Sequence, residues 1–157
     1  MKFTDFICFE ATIENLQTDD RDEAIAALVD SLDKAGKLPA GKKENILKAV
    51  IARENEASTG MGKGVAVPHV KHPAIGQVVG AVGLSDNGID FSALDKQPVF
   101  SLILLVSPAN DPDKHLQAME SIFKHLQHEK FRRFLRQCND TAGVKDLLVE
   151  ADECPSW

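Results

Sequence analysis

The sequence predicts an α/β fold, a three-layer sandwich in which a mixed β-sheet is flanked by helices, and three observations lead there. Two helical patterns come first, a block of three or four short apolar strands comes next, and three more helical patterns close the chain. The middle strands stand too close together for helical crossovers, so the sheet is expected to be mixed rather than all-parallel. With 157 residues and 43% apolar side chains, the chain can bury roughly 70% of its extended surface, enough for one core without disulfides or metals.

In chain order, residues 6–13 read as a first, weakly marked strand. Thr18, Asp19 or Asp20 can cap a helix whose Ile25, Leu28, Val29 and Leu32 keep the spacing of one helical face, and Gly36 supplies its left-handed stop. Pro39 is expected to open a second helix, with Ile46, Leu47, Val50 and Ile51 inward, ending near Arg53 and Glu54. Strands are expected at residues 65–67, 78–84 and 99–106, the last a continuous apolar run suited to a central position. Asp86-Asn87-Gly88 reads as a turn between them. Asp111-Pro112 starts a long helix with Leu116, Met119, Ile122, Phe123 and Leu126 on one face. A short helix bears Phe131, Phe134, Leu135 and Cys138, and a last one uses Val144, Leu147 and Leu148. A single domain over residues 1–152 with a tail at 153–157 is the expected organisation.

Eighteen Lys and Arg against 24 Asp and Glu give a net charge of −6. No basic stripe with interleaved aromatics appears, so nucleic acid is a poor partner. The longest apolar run, residues 99–106, is far short of the roughly 20 residues a membrane helix needs, and the acidic start MKFTDFICFE is unlike a signal peptide. No membrane insertion is expected, and a cytoplasmic location is. Cys8, Cys138 and Cys154 form no CxxC pair and are expected to be reduced, Cys8 and Cys138 in or near the core.

The stretch Thr59-Gly60-Met61-Gly62-Lys63-Gly64 invites a nucleotide reading, which fails. A dinucleotide fingerprint needs a third glycine where Val65 stands, and a phosphate loop needs Ser or Thr after Gly-Lys, where Gly64 stands. The adjoining stretch Gly64-Val65-Ala66-Val67-Pro68-His69 is more informative, an apolar strand ending in Pro-His. Pro68 donates no ladder hydrogen bond and stiffens the exit, so His69 is held by rigid backbone. Its ordinary pKa of about 6.5 leaves a neutral, nucleophilic nitrogen near neutral pH. Taken alone, such a histidine is more often a surface or hydrogen-bonded residue without a role.

The segment Arg53-Glu54, then Ser58 through His69 as STGMGKGVAVPH, resembles the type-2 enzyme IIA family of the bacterial phosphotransferase system, the fructose, mannitol and nitrogen-regulatory group. The resemblance extends to the Phe-x-Ala-x-Asp-x-Gln-Pro-Val stretch at residues 91–99 and to Lys114-His115-Leu116 at a helix start. It implies a phosphohistidine carrier. His69 would take a phosphoryl group on Nε2 (the tele nitrogen) from a small HPr-type carrier protein, then hold it or pass it to an enzyme IIB cysteine. Arg53 and His115 map on the family's helix-end arginine and second histidine. Of the two branches, a free-standing nitrogen-regulatory IIA read by regulatory target proteins is expected first, and sugar-linked transfer to an enzyme IIB second. No cofactor and no metal are implied.

Physical chemistry fits those roles. Phosphoryl transfer asks chiefly for in-line positioning and charge stabilisation, work suited to one guanidinium and one donor imidazole. Without the resemblance, Arg53 reads better as a solvated cation at a helix C-terminus, and His115 reads equally as an ordinary surface histidine. One departure from the family pattern is Val70, where Gly or Ala usually comes after the histidine. Its branched side chain is expected to narrow a partner's approach. Two other classes compete: a metal module built on the His69/His72 and His125/His128 pairs, the latter pair otherwise a solvated helix face, and an interaction domain that has lost its chemistry.

Overall fold

The computed structural model describes residues 1–154, and its centre is β5 (Val99–Pro108). Along one edge β5 pairs antiparallel with β4 (Val79–Ile89), in register from Val79 opposite Val106 to Leu84 opposite Ser101. Along the other edge two short strands lie in tandem, both parallel to β5. These are β2 (Val65–Ala66) against Ser101 and Leu102, and β3 (His69–His72) against Leu105 to Pro108. A further strand, β1 (Gly60–Gly62), folds back antiparallel on β2. The sheet is therefore mixed, as the strand spacing predicts.

Side-chain alternation divides this sheet between two cores. Leu102, Leu104 and Val106 of β5, with Val79, Ala81 and Ala66, pack against the helices α2 (Arg21–Lys34) and α3 (Lys43–Glu56). Ile103 and Leu105, with Val65, Val67, Val82 and Leu84, face α1 (Phe3–Phe6), α4 (Pro112–Leu126), α5 (Glu129–Gln137) and α6 (Thr141–Glu153). Helices on both faces of one sheet make the predicted three layers.

Several boundaries differ from the sequence reading. Residues 6–13 do not form a strand. They begin in α1 and pass through a 3₁₀ turn at Phe9–Ala11, touching the outer edge of β4 only through isolated bridges of Ile7 to Gly80 and Ile13 to Gly83. Phe6, Ile7 and Cys8 are buried in succession, so period-two alternation is absent. Pro39 does not open α3. Lys42 donates its N–H to the Pro39 carbonyl at 3.2 Å, and Gly41 between them has φ +75°, outside helical space, so the helix starts four residues later. Asp86-Asn87-Gly88 does not end its strand; β4 continues past it to Ile89 through a register irregularity in which Gly88 donates its N–H to Ser85 Oγ at 2.9 Å.

On α4 the buried residues are Ala118, Ile122, His125 and Leu126, whereas Leu116 and Phe123 are exposed. The stripe is rotated because His125, expected in solvent, is polar only at its ring nitrogens. One meets the Ser121 carbonyl at 2.9 Å and the other the Ala151 carbonyl at 3.3 Å, with the ring packed against those of Phe3 and Phe131. The expected caps and stops elsewhere are present: Asp20 accepts from Glu23 N, Gly36 has φ +75°, and Asp111 accepts from Lys114 N with Pro112 at the helix start. Cys8 is buried, Cys138 half-buried and Cys154 exposed, all three as free thiols. Helix α6 runs through Glu153; residues 155–157 of the expected tail lie outside the described residues. No helix among the described residues is long and apolar enough to cross a membrane.

Candidate functional site

The break between β2 and β3 creates the site. Pro68 lacks an N–H, so the ladder on this edge is interrupted there. The Pro68 carbonyl still accepts from Leu105 N at 3.0 Å, and His69 becomes the first residue of a new strand rather than the end of an old one. His69 pairs in register with Leu105, placing its side chain on the α4 face of the sheet. Its Nδ1 lies 2.7 Å from the Val67 carbonyl. A carbonyl only accepts, so Nδ1 carries the ring hydrogen and Nε2 keeps its lone pair free.

That carbonyl is itself anchored. Glu54, buried near the end of α3 at 2% exposure, accepts both from Thr59 N at 2.5 Å and from Thr59 Oγ1 at 2.6 Å. Thr59 in turn accepts from Val67 N through its carbonyl at 3.4 Å. The buried carboxylate thus reaches the His69 ring through three links. The glycine-rich stretch is the hairpin between β1 and β2: Gly62 and Gly64 have φ of +89° and +81° with Lys63 at +60° between them, and Lys63 N donates to Asp95 Oδ2 at 2.9 Å. At Gly60 a β-carbon would stand 2.9 Å from that of Ala93. These glycines serve a tight turn and close packing against residues 91–99, which accounts for the failed nucleotide pattern.

His115 enters beside the His69 ring from the first turn of α4. The two ring centroids are 5.6 Å apart at an interplanar angle of 40°. His115 Nδ1 lies 2.7 Å from Oγ of Ser107, a fully buried residue of β5. Arg53 sits one turn from the end of α3, where its Nη1 donates to the Ala57 carbonyl at 3.1 Å. The structure therefore gathers Arg53, His69 and His115 at one edge of the sheet, from α3, β3 and α4.

Burial lowers the His69 pKa below its ordinary value, and the Arg53 charge adds to that, against the opposing effect of the Val67 hydrogen bond. His115 is pushed down to about 4, first by burial, then by the neighbouring His69 and Lys71. Both imidazoles are neutral at physiological pH. Lys71 was not singled out by the sequence reading, yet it lies two residues beyond His69 on the same face of β3, and its charge reaches both rings. Period-two alternation applied past Pro68 would have found it. Glu54, Thr59 and Ser107 were also missed as supporting residues.

Val70 points the other way, packing against the core on the α2/α3 side. It lies on the sheet face opposite the His69 ring and does not narrow approach to that ring, contrary to expectation. The paired histidines do not assemble a metal centre either. His72 is buried with Nε2 at 2.6 Å from Asn45 Oδ1 and Nδ1 accepting from Ala74 N at 3.0 Å, and both His125 nitrogens meet carbonyls. Among the described residues no group of three potential ligands converges.

Residues 7–151 match the family model described as phosphoenolpyruvate-dependent sugar phosphotransferase system, EIIA 2. The fructose-specific EIIA component of Haloferax volcanii is 34% identical over 133 residues, 85% of each chain. A nitrogen regulatory protein of Bradyrhizobium diazoefficiens is 29% identical over 149 residues, 95% of each chain. The fructose-specific EIIABC component of Bacillus subtilis is 28% identical over 98% of this chain, which spans 24% of that longer protein. Among solved structures, the nitrogen regulatory protein IIA-Ntr of Neisseria meningitidis superposes with a TM-score of 0.82 at 22% identity, covering 92% of this chain and 97% of that one. This likeness bears on the fold.

Proposed function

Because the chain belongs to the phosphoenolpyruvate-dependent sugar phosphotransferase system EIIA 2 family, we propose that it is a phosphocarrier whose His69 Nε2 accepts a phosphoryl group from the phosphohistidine of a small HPr-type carrier protein. The observation behind this reading is the 2.7 Å contact from His69 Nδ1 to the Val67 carbonyl, which leaves Nε2 as the free nucleophilic nitrogen.

In the transfer, the Nε2 lone pair forms a bond to phosphorus as the bond from phosphorus to the donor's ring nitrogen breaks, and that nitrogen recovers its electron pair. His69 Nδ1 keeps its hydrogen and donates it to the Val67 carbonyl throughout. Protonated imidazole would have no lone pair to offer, so the lowered pKa keeps the nucleophile competent at and below neutral pH. Charge spreading over the three equatorial oxygens is met by the Arg53 guanidinium and by the His115 ring. Arg53 comes from the last turn of α3 and His115 from the first turn of α4, so the two groups are supplied by separate elements.

Within the family we infer the nitrogen-regulatory branch, where the phosphorylation state is read by regulatory target proteins. The 95% mutual coverage with the Bradyrhizobium nitrogen regulatory protein supports this. The second reading, sugar-linked transfer to an enzyme IIB cysteine, is favoured by the higher identity to the Haloferax fructose-specific component.

The test is incubation with phosphoenolpyruvate, enzyme I and an HPr-type carrier. One acid-labile, base-stable phosphoryl group is expected, lost in His69→Ala while the circular dichroism spectrum is unchanged. Full labelling of His69→Ala would overturn the assignment. Offering the phosphorylated protein to an enzyme IIB then separates the branches, since discharge onto its cysteine belongs to the sugar-linked reading alone.

A further inference from the structure

We propose that Ser107 is a positioning residue that sets the tautomer of His115, so that the site holds two imidazoles of opposite Nε2 character, bare at His69 and hydrogen-bearing at His115. The inference rests on hydrogen-bond inventory. Ser107 is fully buried on β5, and among the described residues its hydroxyl has one hydrogen-bond partner, His115 Nδ1 at 2.7 Å.

Two arrangements satisfy that distance. If Nδ1–H donates to Oγ, the serine's own hydroxyl hydrogen is left buried without an acceptor, an unfavourable state for any polar group. If Oγ–H donates to Nδ1, every hydrogen is used, Nδ1 is bare, and the single hydrogen of the neutral ring sits on Nε2. The second arrangement is the stable one. At His69 the opposite holds, because its Nδ1 faces a carbonyl and must donate.

For a phosphoryl group on His69 the consequence is direct. Its oxygens are acceptors, so a neighbouring imidazole helps only if it presents N–H. With Ser107 in place, His115 presents Nε2–H already in its neutral form, the form that burial favours before any phosphoryl group arrives. A neutral donor also adds no positive charge beside His69 that would make its lone pair less available. Neither histidine by itself explains the division of labour. Their Nδ1 partners do, a backbone carbonyl in one case and a buried hydroxyl in the other. This consequence rests on the reading of His69 as phosphoryl acceptor, whereas the tautomers themselves do not.

The experiment uses the ¹⁵N-labelled full chain without any phosphodonor. A long-range ¹H–¹⁵N correlation spectrum at pH 7.5 is expected to show His115 with Nδ1 bare and Nε2 protonated, and His69 with the reverse. In Ser107→Ala the His115 signals are expected to move toward a mixture of tautomers, and the phosphohistidine half-life after labelling to shorten by about two- to tenfold, the range of one hydrogen bond. Ser107→Thr, which keeps the hydroxyl, should restore both. Finding His115 as the Nδ1–H tautomer in the wild type overturns the proposal, as does a Ser107→Ala protein with unchanged tautomer and unchanged half-life. Because the spectrum needs no phosphoryl transfer, failure here is distinguishable from failure of His69 to accept phosphate.

Discussion

Replacing Glu54 with Ala tests the chain of contacts that holds the acceptor ring. The carboxylate is 2% exposed and accepts two hydrogen bonds from Thr59, at 2.5 and 2.6 Å. Hydrogen bonds to a charged group contribute about 1.5–3 kcal/mol each, and an amide left buried without a partner costs about 1–3 kcal/mol. Counting the shared amide once, Glu54→Ala should destabilise the fold by about 3–4 kcal/mol. For a domain of this size that lowers the melting temperature by roughly 10 °C. A second effect is local. Thr59 holds Val67, and the Val67 carbonyl fixes the His69 ring, so phosphorylation should slow by about tenfold even where the variant is folded. Glu54→Gln retains an oxygen for Thr59 N and an amide that can donate to the Thr59 hydroxyl, so it should lose only about 1 kcal/mol. Calorimetry at pH 7.5 and single-turnover labelling at 20 °C measure the two effects separately. Glu54→Ala melting within 2 °C of the wild type would refute the stability reasoning. Labelling at the wild-type rate in the folded variant would refute the link from Glu54 to the ring.

Arg53→Ala should slow labelling by about 10²–10³, the usual loss for one transition-state donor, and Arg53→Lys should recover part of it because a point charge does not reproduce a planar fork; rapid-quench kinetics measure both. Both histidines have folded-state pKa values below their ordinary 6.5, so the unfolded chain binds more protons between about pH 4 and 6.5. Stability should therefore be full above pH 6.5 and fall as pH drops toward 4, with His115→Ala flattening that slope in thermal melts. For the same reason the labelling rate should hold its plateau to a pH below 6.5, and a midpoint at or above 6.5 would contradict the neutral, buried ring. Val70→Gly should lower stability by about 1–2 kcal/mol through lost packing and strand entropy, while leaving labelling rates unchanged at every carrier concentration; faster transfer would return Val70 to the approach path.

Residue identity alone carried much of this protein. The continuity and length of the apolar run at residues 99–106 marked a central strand, because a run buried on both faces has no polar side to show. Asp20, Gly36 and Asp111-Pro112 marked helix limits, because caps are local chemistry. The Pro68-His69 pair marked the candidate nucleophile, because proline interrupts a ladder wherever it occurs. Arg53 and His115 were legible through resemblance, since one cation at a helix end and one histidine after a proline carry no distinguishing pattern of their own.

What the tertiary structure decided was everything that depends on which face a side chain meets. Val70 turned inward and Lys71 outward once β3 was known to resume at His69. Leu116 and Phe123 turned to solvent once His125 found two carbonyls inside the fold. The supporting roles of Glu54, present in the motif but given no task, and of Ser107 were illegible for the same reason. A buried carboxylate or hydroxyl is recognised by its partner, and those partners, Thr59 five residues away and His115 eight, are set by how a helix end meets a hairpin and how a strand meets the next helix. Local sequence dictates propensity and capping, but hydrogen-bond partners across elements, and with them the tautomer at His115, exist only after the layers have packed.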